Sequence, residues 1–540
     1  MLMRADTQTN LLVAARAAHQ QRDWRESYEA YVRAGEIAPL GTDDLDALAF
    51  AALRLGHVKE SSRIAERVFG QLVSTDPTAA AMKANELGLA WLVRGDVNIG
   101  QGWMNRARRL LAGAPEGPAH GYLAYLDAAV AAITLDLDTL ADRTNTLRDM
   151  GNRLGVPAVV TLGLIAEAIQ AILQARTADG YALIDEALLS VLGDQVPIEW
   201  AGDIYCMVLH HCHKLADLPR MRGWTQSMEQ WCGLSGSVPY GGVCDVHRLQ
   251  VQVATDDYRT LELRLATASQ ALEDVNSWAA AEGFYQLGEV RRLLGDHDGA
   301  LLAFGNARLL GMDPQPGEAL LRCRLGDSQS AWTAVRVALA GQDRLLRIRL
   351  LRAAVDIALV RDSLDEAENY CRELESDATA YSTPGFLAWA SHARGALQVR
   401  RGDHAPALVS LQAALGQYRV QQSRYETAEV YEWMALAHRG QGDVDAAAAD
   451  AATAENIYRQ LGVEPAGICG STAPGGLTRR ELDVLARVAG GATNRQVAQQ
   501  LYLSEKTVGR HLANIYAKLD VSTRTAAANW AHQHHIAPSP

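Results

Sequence analysis

Over residues 1–460 apolar positions recur at helical spacing, and few segments alternate with the two-residue period of a strand. The pattern predicts helices in pairs, each pair broken by Gly-Asp or a similar turn. Residues 466–476, AGICGSTAPGG, interrupt it: Gly, Ser, Thr and Pro cluster there without apolar period, as in a linker. Helical spacing then resumes over 477–535 in four shorter segments. Thr478 and Glu481 form a Thr-x-x-Glu capping box before the stripe Leu482, Val484, Leu485, Val488. Gly490-Gly491 end that helix. Thr493 and Gln496 form a second capping box before Val497, Ala498 and Leu501. After a turn at Tyr502-Leu503, Ser504 is the expected N-cap of a third helix, Glu505 to about Leu519. Val508, Leu512, Ile515 and Leu519 give that helix one buried face. Ser522 or Thr523 is placed to cap a fourth, ending near His535.

The long first region carries a repeat. Phe284, Leu287-Gly288, Arg291, Gly295, Ala300, Phe304 and Ala307 stand at the offsets of a two-helix unit of ~34 residues. Leu87-Gly88, Trp91, Gly95, Gly100, Met104 and Ala107 make a second unit, and Gly395, Gly402, Ala407, Leu411 and Ala414 a third. Gly442, Ala447, Ala451 and Ala454 make a fourth, and Ser27, Tyr31, Ala34 and Pro39 match the second half of one. Degenerate hairpins fall around 119–153, 158–193, 200–232, 243–273, 317–340 and 345–376. Small residues let paired helices approach, large ones fill the gap to the next pair, and one hairpin cannot bury its apolar faces alone. The region therefore resembles tetratricopeptide-type arrays, and an α-solenoid of roughly eleven or twelve hairpins is expected. Such arrays hold peptides, proteins or small ligands on their concave face, and nothing in the sequence selects among these.

In the C-terminal stretch, two short helices joined by a tight turn have the layout of a helix-turn-helix, whose second helix enters the major groove. Outward on that helix are Lys506, Gly509, Arg510, Ala513 and Asn514. Arg510 can pair bidentately with guanine; Lys506 can do so less rigidly, or bind phosphate. Ser504, Thr507 and the free N–H groups of the helix start suit a phosphate oxygen, and Asn494 and Arg495 open the preceding helix where a second phosphate contact would fall. The stretch resembles the LuxR/GerE-type DNA-binding domain. The resemblance is carried by Leu477-Thr478, Arg480-Glu481, Val484-Leu485, Asn494, Val497-Ala498, Leu501, Leu503-Ser504, Thr507-Val508, His511-Leu512, Ile515, Lys518-Leu519, Val521 and Arg524. It implies a transcriptional regulator that binds double-stranded DNA as a dimer through the fourth helix, and it places His511 and Lys518 among the DNA-facing residues. One departure is Gly509, where that family often carries a lysine; base readout then shifts to Arg510 and Lys506.

Charge sharpens the division. The 540 residues carry a net −12, yet residues 477–540 hold eight Lys/Arg against four Asp/Glu, making that stretch +4 and the remainder −16. A basic tail on an acidic body fits DNA contact by the tail alone. Seven cysteines, an odd number in a long chain, point to free thiols and a reducing cytoplasm. No run is long and apolar enough to span a bilayer, and the first residues lack a signal-peptide pattern.

Candidate chemistry is sparse. Cys206, His210 and His213 stand at i, i+4 and i+7, with His211, Cys212, Cys232, Cys244 and His247 near in sequence. These are zinc-ligand types, but no Cys-x-x-Cys pair accompanies them, and buried thiols with half-exposed histidines are the simpler expectation. Tyr205, Cys206, Trp224 and Trp231 are alternatively candidate walls of a small-molecule pocket. No Gly-x-x-x-x-Gly-Lys-Ser/Thr, Gly-x-Ser-x-Gly or His-Glu-x-x-His occurs. The acids from Glu366 to Glu373 are expected on solvated faces.

The expected protein is all-α: a tetratricopeptide-like repeat over 1–465, a linker at 466–476 and a helix-turn-helix domain over 477–540. It is expected to be a cytoplasmic, non-enzymatic transcriptional regulator without cofactor, a homodimer on DNA, controlled by a protein or small-molecule effector. The rival expectation is a protein-gathering scaffold whose C-terminal unit is a tether or dimerisation element.

Overall fold

The computed structural model describes residues 2–235, 238–341, 343–463, 477, 479–501, 503–534 and 536. The linker expectation at 466–476 lies outside them, as do Thr478, Tyr502 and His535. All regular elements among the described residues are helices.

The first hairpins are α1 (Leu2–Gln20) with α2 (Trp24–Ile37), α3 (Thr42–Arg54) with α4 (Val58–Leu72), and α5 (Pro77–Val93) with α6 (Val97–Leu111). Next come α7 (Pro118–Thr134) with α8 (Leu137–Leu154), α9 (Pro157–Leu173) with α10 (Thr177–Leu192), and α11 (Ile198–Lys214) with α12 (Leu218–Ser235). Then follow α13 (Val238–Gln252) with α14 (Tyr258–Leu272), α15 (Ser277–Leu294) with α16 (His297–Leu309), and α17 (Gly317–Arg324) with α18 (Ser328–Gly341). The last are α19 (Arg344–Val360) with α20 (Leu364–Tyr381), α21 (Pro384–Arg401) with α22 (His404–Gln421), and α23 (Arg424–Gly440) with α24 (Val444–Leu461). Each helix packs on its neighbours in sequence, which makes a solenoid of twelve hairpins.

The hairpins are built the same way where the repeat pattern is clear. Gly95, Gly295, Gly402 and Gly442 take φ near +85°, and the following Asp starts the second helix; Asp296 and Asp443 accept the N–H three residues on. Inside each pair a glycine meets the large residue sixteen positions later: Gly88 against Met104, Gly288 against the Phe304 ring, Gly395 against Leu411. A methyl group at Gly395 would lie 2.6 Å from Leu411 Cγ, so only glycine allows that approach. Four of the six degenerate hairpins keep the turn and lose its glycine: Leu135, Ala175, Ala216 and Asp362 occupy the left-handed region instead, while the hairpin at 317–340 keeps Gly326. Each such residue costs about 1 kcal/mol against glycine, which the packing of the pair offsets.

The array curls until its turns touch, ten helices apart. α3 packs on α13 and α12 on α22. Lys59 of α4 pairs with Asp274 just after α14 at 2.6 Å. Thr383 Oγ1 donates to the Leu215 carbonyl, and Gln421 Nε2 to the Ala216 carbonyl, at 2.7 and 2.8 Å. Arg424 N donates to the Ala254 carbonyl at 2.9 Å, while Tyr258 and Tyr425 stack with centroids 6.4 Å apart.

This closure turns charge inward. Glu282 of α15 meets His210 of α11 and accepts from Gln250 of α13 at 3.1 Å. Arg352 pairs with Asp356, and Arg292 with Glu289 at 2.8 Å. Burial pushes Glu429 up to about 8. The acids around Glu366–Glu373 are not merely solvated: Glu368 pairs with Arg394 and Arg401, and Glu373 with Arg347, tying α20 to α19 and α21.

The C-terminal helices are α25 (Arg479–Ala489), α26 (Asn494–Leu501), α27 (Glu505–Leu519) and α28 (Arg524–Gln533). They close around a core of their own: Leu477, Val484, Leu485, Val488, Val497, Leu501, Val508, Leu512, Ile515, Ala527 and Ala531.

Candidate nucleic-acid interface

The geometry of the C-terminal unit follows from its caps. Thr493 N donates to Gln496 Oε1 at 2.8 Å and Gln496 N returns to Thr493 Oγ1 at 3.3 Å, a reciprocal capping box at the start of α26. Gly491, at φ +84°, turns the chain out of α25. Ser504 Oγ accepts from Thr507 N at 3.1 Å and shares a 2.7 Å hydrogen bond with Thr507 Oγ1. That pair fixes the first turn of α27. Thr523, rather than Ser522, caps α28 by accepting from Ala526 N at 3.1 Å.

Val508, Leu512 and Ile515 are buried, so α27 is rolled to show its other side. Lys506, Arg510, Ala513, Asn514 and Lys518 are exposed on it, with Thr507, Gly509 and His511 half-buried at the edges. Nothing lies within 4 Å of the place a side chain would occupy at Gly509. The N-terminus of α27 adds the positive end of a helix dipole beside Ser504 and Lys506. Arg495 is exposed and Asn494 half-buried at the start of α26.

Two of these residues have structural partners. Lys518 Nζ reaches Glu481 Oε2 at 2.7 Å, and Glu481 is almost fully buried, so this pair clamps α27 to α25. Asn494 Oδ1 accepts from Arg524 at 2.9 Å, and Arg524 also reaches the Ala492 carbonyl, which locks α28 to the head of α26. Sequence reasoning named Glu481 and Arg524 without these roles. The pairs lie 37 and 30 residues apart, beyond the reach of any local spacing rule.

The other candidate residues lie in the repeat body. Tyr205 and Trp231 pack against each other, centroids 5.4 Å apart, inside the core, and Trp224 packs on its margin. Cys206 lies elsewhere, 4.0 Å from Asn276 Nδ2, and burial lifts its thiol to about 12. His210 faces Glu282, while burial and then Arg349 push His213 down to about 3. His211 is likewise held to about 3 by burial, and its Nδ1 donates to the Met207 carbonyl at 2.8 Å. Cys232 and Cys244 approach to 3.1 Å, Cys212 is buried, and His247 bonds Gln250 at 3.0 Å. Among the described residues no three His, Cys, Asp or Glu side chains gather as a metal set.

Residues 476–531 match the family "Bacterial regulatory proteins, luxR family". The C-terminal unit is a LuxR-family helix-turn-helix domain. It is 48% identical over 60 residues to the transcriptional regulatory protein LiaR of Bacillus subtilis (strain 168). That stretch covers 11% of this chain and 28% of LiaR. It is 42% identical over 62 residues to the CsgBAC operon transcriptional regulatory protein of Escherichia coli (strain K12), covering 12% and 29% of the two chains. The likeness to these relatives therefore ends with the C-terminal unit. Along the whole chain, the Cut9–Hcn1 hetero-tetramer of APC/C overlays with a TM-score of 0.39 at 13% identity, covering 98% of this chain and 96% of that one. A Rap protein complexed with competence and sporulation factor overlays at 0.37 and 11% identity, covering 74% and 98%. No helix among the described residues is long and apolar enough to cross a membrane.

Proposed function

We propose that this chain is a cytoplasmic, sequence-specific DNA-binding transcriptional regulator. In this reading α27 enters the major groove, and the repeat body receives a protein or small-molecule effector. The observation that carries it is the face of α27 opposite Val508, Leu512 and Ile515, where Lys506, Arg510 and Asn514 stand exposed in a LuxR-type domain. Arg510 sits one turn beyond Lys506, which suits a guanine contact beside a phosphate or second base contact. Ser504, Thr507 and the α27 N-terminus take a phosphate, as does Arg495 at the head of α26. Lys518 and Asn494 act chiefly by holding the helices, and His511 borders the groove-facing side. Two copies joined through α28 would read a pseudo-palindromic site.

The test is selection of bound sites from a random duplex pool with the full chain, followed by titration of the selected site. Arg510→Ala should weaken that site by about 1–3 kcal/mol and relax one base preference. Unchanged affinity would remove α27 from its assigned role. Failure of both the full chain and the 470–540 fragment to bind any duplex would favour a protein-gathering scaffold instead.

A further inference from the structure

Where the first turn of the array meets the second, α3, α4 and α5 face α11, α13 and the link from α14 to α15 across a cavity of about 340 Å3. That is the small end of the range for ligand pockets, roughly 300–1,000 Å3. Its lining interleaves apolar residues, Phe50, Leu53, Val58, Leu87, Val243 and Val275, with four carboxyls, Asp46, Glu86, Glu199 and Asp203. Glu199, Asp203 and Cys206 fall at i, i+4 and i+7 on α11, so all three look into the same space.

The cations nearby are already committed. Lys83 Nζ lies 2.6 Å from Asp46 and 2.5 Å from Glu86. Arg54, which bears on Glu199, has its guanidinium over the Trp24 and Phe50 rings at 5.0 and 4.8 Å. Asp203 accepts from the Tyr125 hydroxyl at 2.8 Å, a neutral donor. Four carboxyls thus meet two cations; Asp46 is half-exposed, while Glu86, Glu199 and Asp203 lie deeper, where ionised carboxylates are disfavoured unless paired. The result is visible in their proton affinity: burial lifts Glu86 to about 7 and Asp203 to about 6, and raises Glu199 as well.

We propose that this cavity binds a compact organic ammonium ion, its charge between Glu199 and Asp203 and its apolar body against Phe50, Leu53 and Val243. A hard metal ion would meet apolar side chains where it needs further oxygen ligands. An anion would meet four carboxyls. An ammonium with a short apolar body satisfies both kinds of lining at once. Because the site spans two turns of the array, its occupant touches α3–α5 and α11–α13 together. The inference gives the effector proposed above a chemistry, and rests on that reading only for its regulatory consequence.

The experiment is calorimetric titration of the full chain, without DNA, with benzylamine, phenethylamine and 4-phenylbutylamine, each against the alcohol of the same skeleton. At least one amine should bind ten-fold or more tighter than its alcohol, and more tightly at pH 8 than at pH 5, as the carboxyls give up their protons. Glu199→Gln with Asp203→Asn should weaken the amine at least ten-fold. Ala90→Phe, which fills the cavity and keeps every carboxyl, should abolish binding and serves if the double variant does not fold. Equal binding of amine and alcohol, binding that survives Ala90→Phe, or no binding by any amine overturns the proposal. None of these outcomes bears on whether α27 binds DNA, which is read from the DNA titration alone.

Discussion

The two regions of this protein treat charge in opposite ways. In the LuxR-type unit the core is aliphatic and Lys506, Arg510 and Asn514 stand in solvent on one side of one helix. In the repeat body the surface that should face a groove has closed on itself, and titratable groups meet one another there: Glu282 with His210, Arg352 with Asp356, Lys83 with Asp46 and Glu86. A small unit that must meet a polyanion keeps its cations hydrated and available. A long curled array buries polar faces where a helix meets one ten helices on as well as one next door, as α3 meets α13 and α12 meets α22. The lesson is that a polar stripe on a helix signals solvent only while the helix has no second partner.

The contrast can be broken at the seam between turns. A side chain at Gly385 would run into the Ala216 carbonyl and Gln421 Nε2. Gly385→Val should therefore cost about 3 kcal/mol in denaturant unfolding of the body, since a backbone carbonyl cannot step aside. The transition of the C-terminal unit, which has its own core, should not move. A common shift of both transitions would show that the two regions unfold as one.

Within the small unit, Lys518→Met takes the cation from the buried Glu481 carboxyl and should destabilise it by about 2 kcal/mol. The salt dependence of DNA binding should stay as it was. A slope lower by about one would show that Lys518 also meets a phosphate.

The buried acids of the body give a pH signature. Glu429 titrates near 4.5 when unfolded and about 8 when folded, so the folded state holds its proton more tightly. Its contribution to stability is whole below about pH 4.5 and is lost as pH rises through 8. His211 and His213 run the other way, from 6.5 to about 3, and cost stability as pH falls below 6.5. Glu429→Gln should flatten the alkaline limb by up to roughly 3 kcal/mol between pH 5 and 8, measured by urea unfolding at each pH. An unchanged limb would mean that other acids set it.

The smallest effect is expected on the exposed side of α27. Gly509 lies mid-helix with open space beside it, so Gly509→Ala should stabilise the unit by about 0.5–1 kcal/mol in thermal unfolding. If DNA affinity falls while stability rises, the helix approaches the duplex closely there.

The sequence made local features legible and left distant ones hidden. The caps at Thr493 and Ser504, the buried face of α27 and the hairpins near 119–153 through 345–376 rest on spacings of a few residues, and the structure has them there. The turn glycines explain why some repeats were easy to see and others faint: at Leu135, Ala175 and Ala216 the backbone turn persists without the residue that advertises it. The family resemblance places Lys518 among the DNA-facing residues, and its pairing with Glu481, 37 residues away, is invisible to any local spacing rule. The aromatic cluster at Tyr205 and Trp231 looked like a pocket wall and is packed core, whereas Cys206, one residue from Tyr205, lines the cavity. A turn between neighbours on one helix separates core from cavity, and only the curvature of the whole array decides which side is which.

That curvature also fixes how many helices lie between the residues that touch from coil to coil. Gln421 finds Ala216, Thr383 finds Leu215 and Arg424 finds Ala254 because ten helices complete one coil. Duplicating a single hairpin between these partners would leave every downstream residue two helices out of phase with the coil beneath it. An open solenoid can grow or shrink by one repeat at little penalty; this one can do so only at its ends, or by a whole coil.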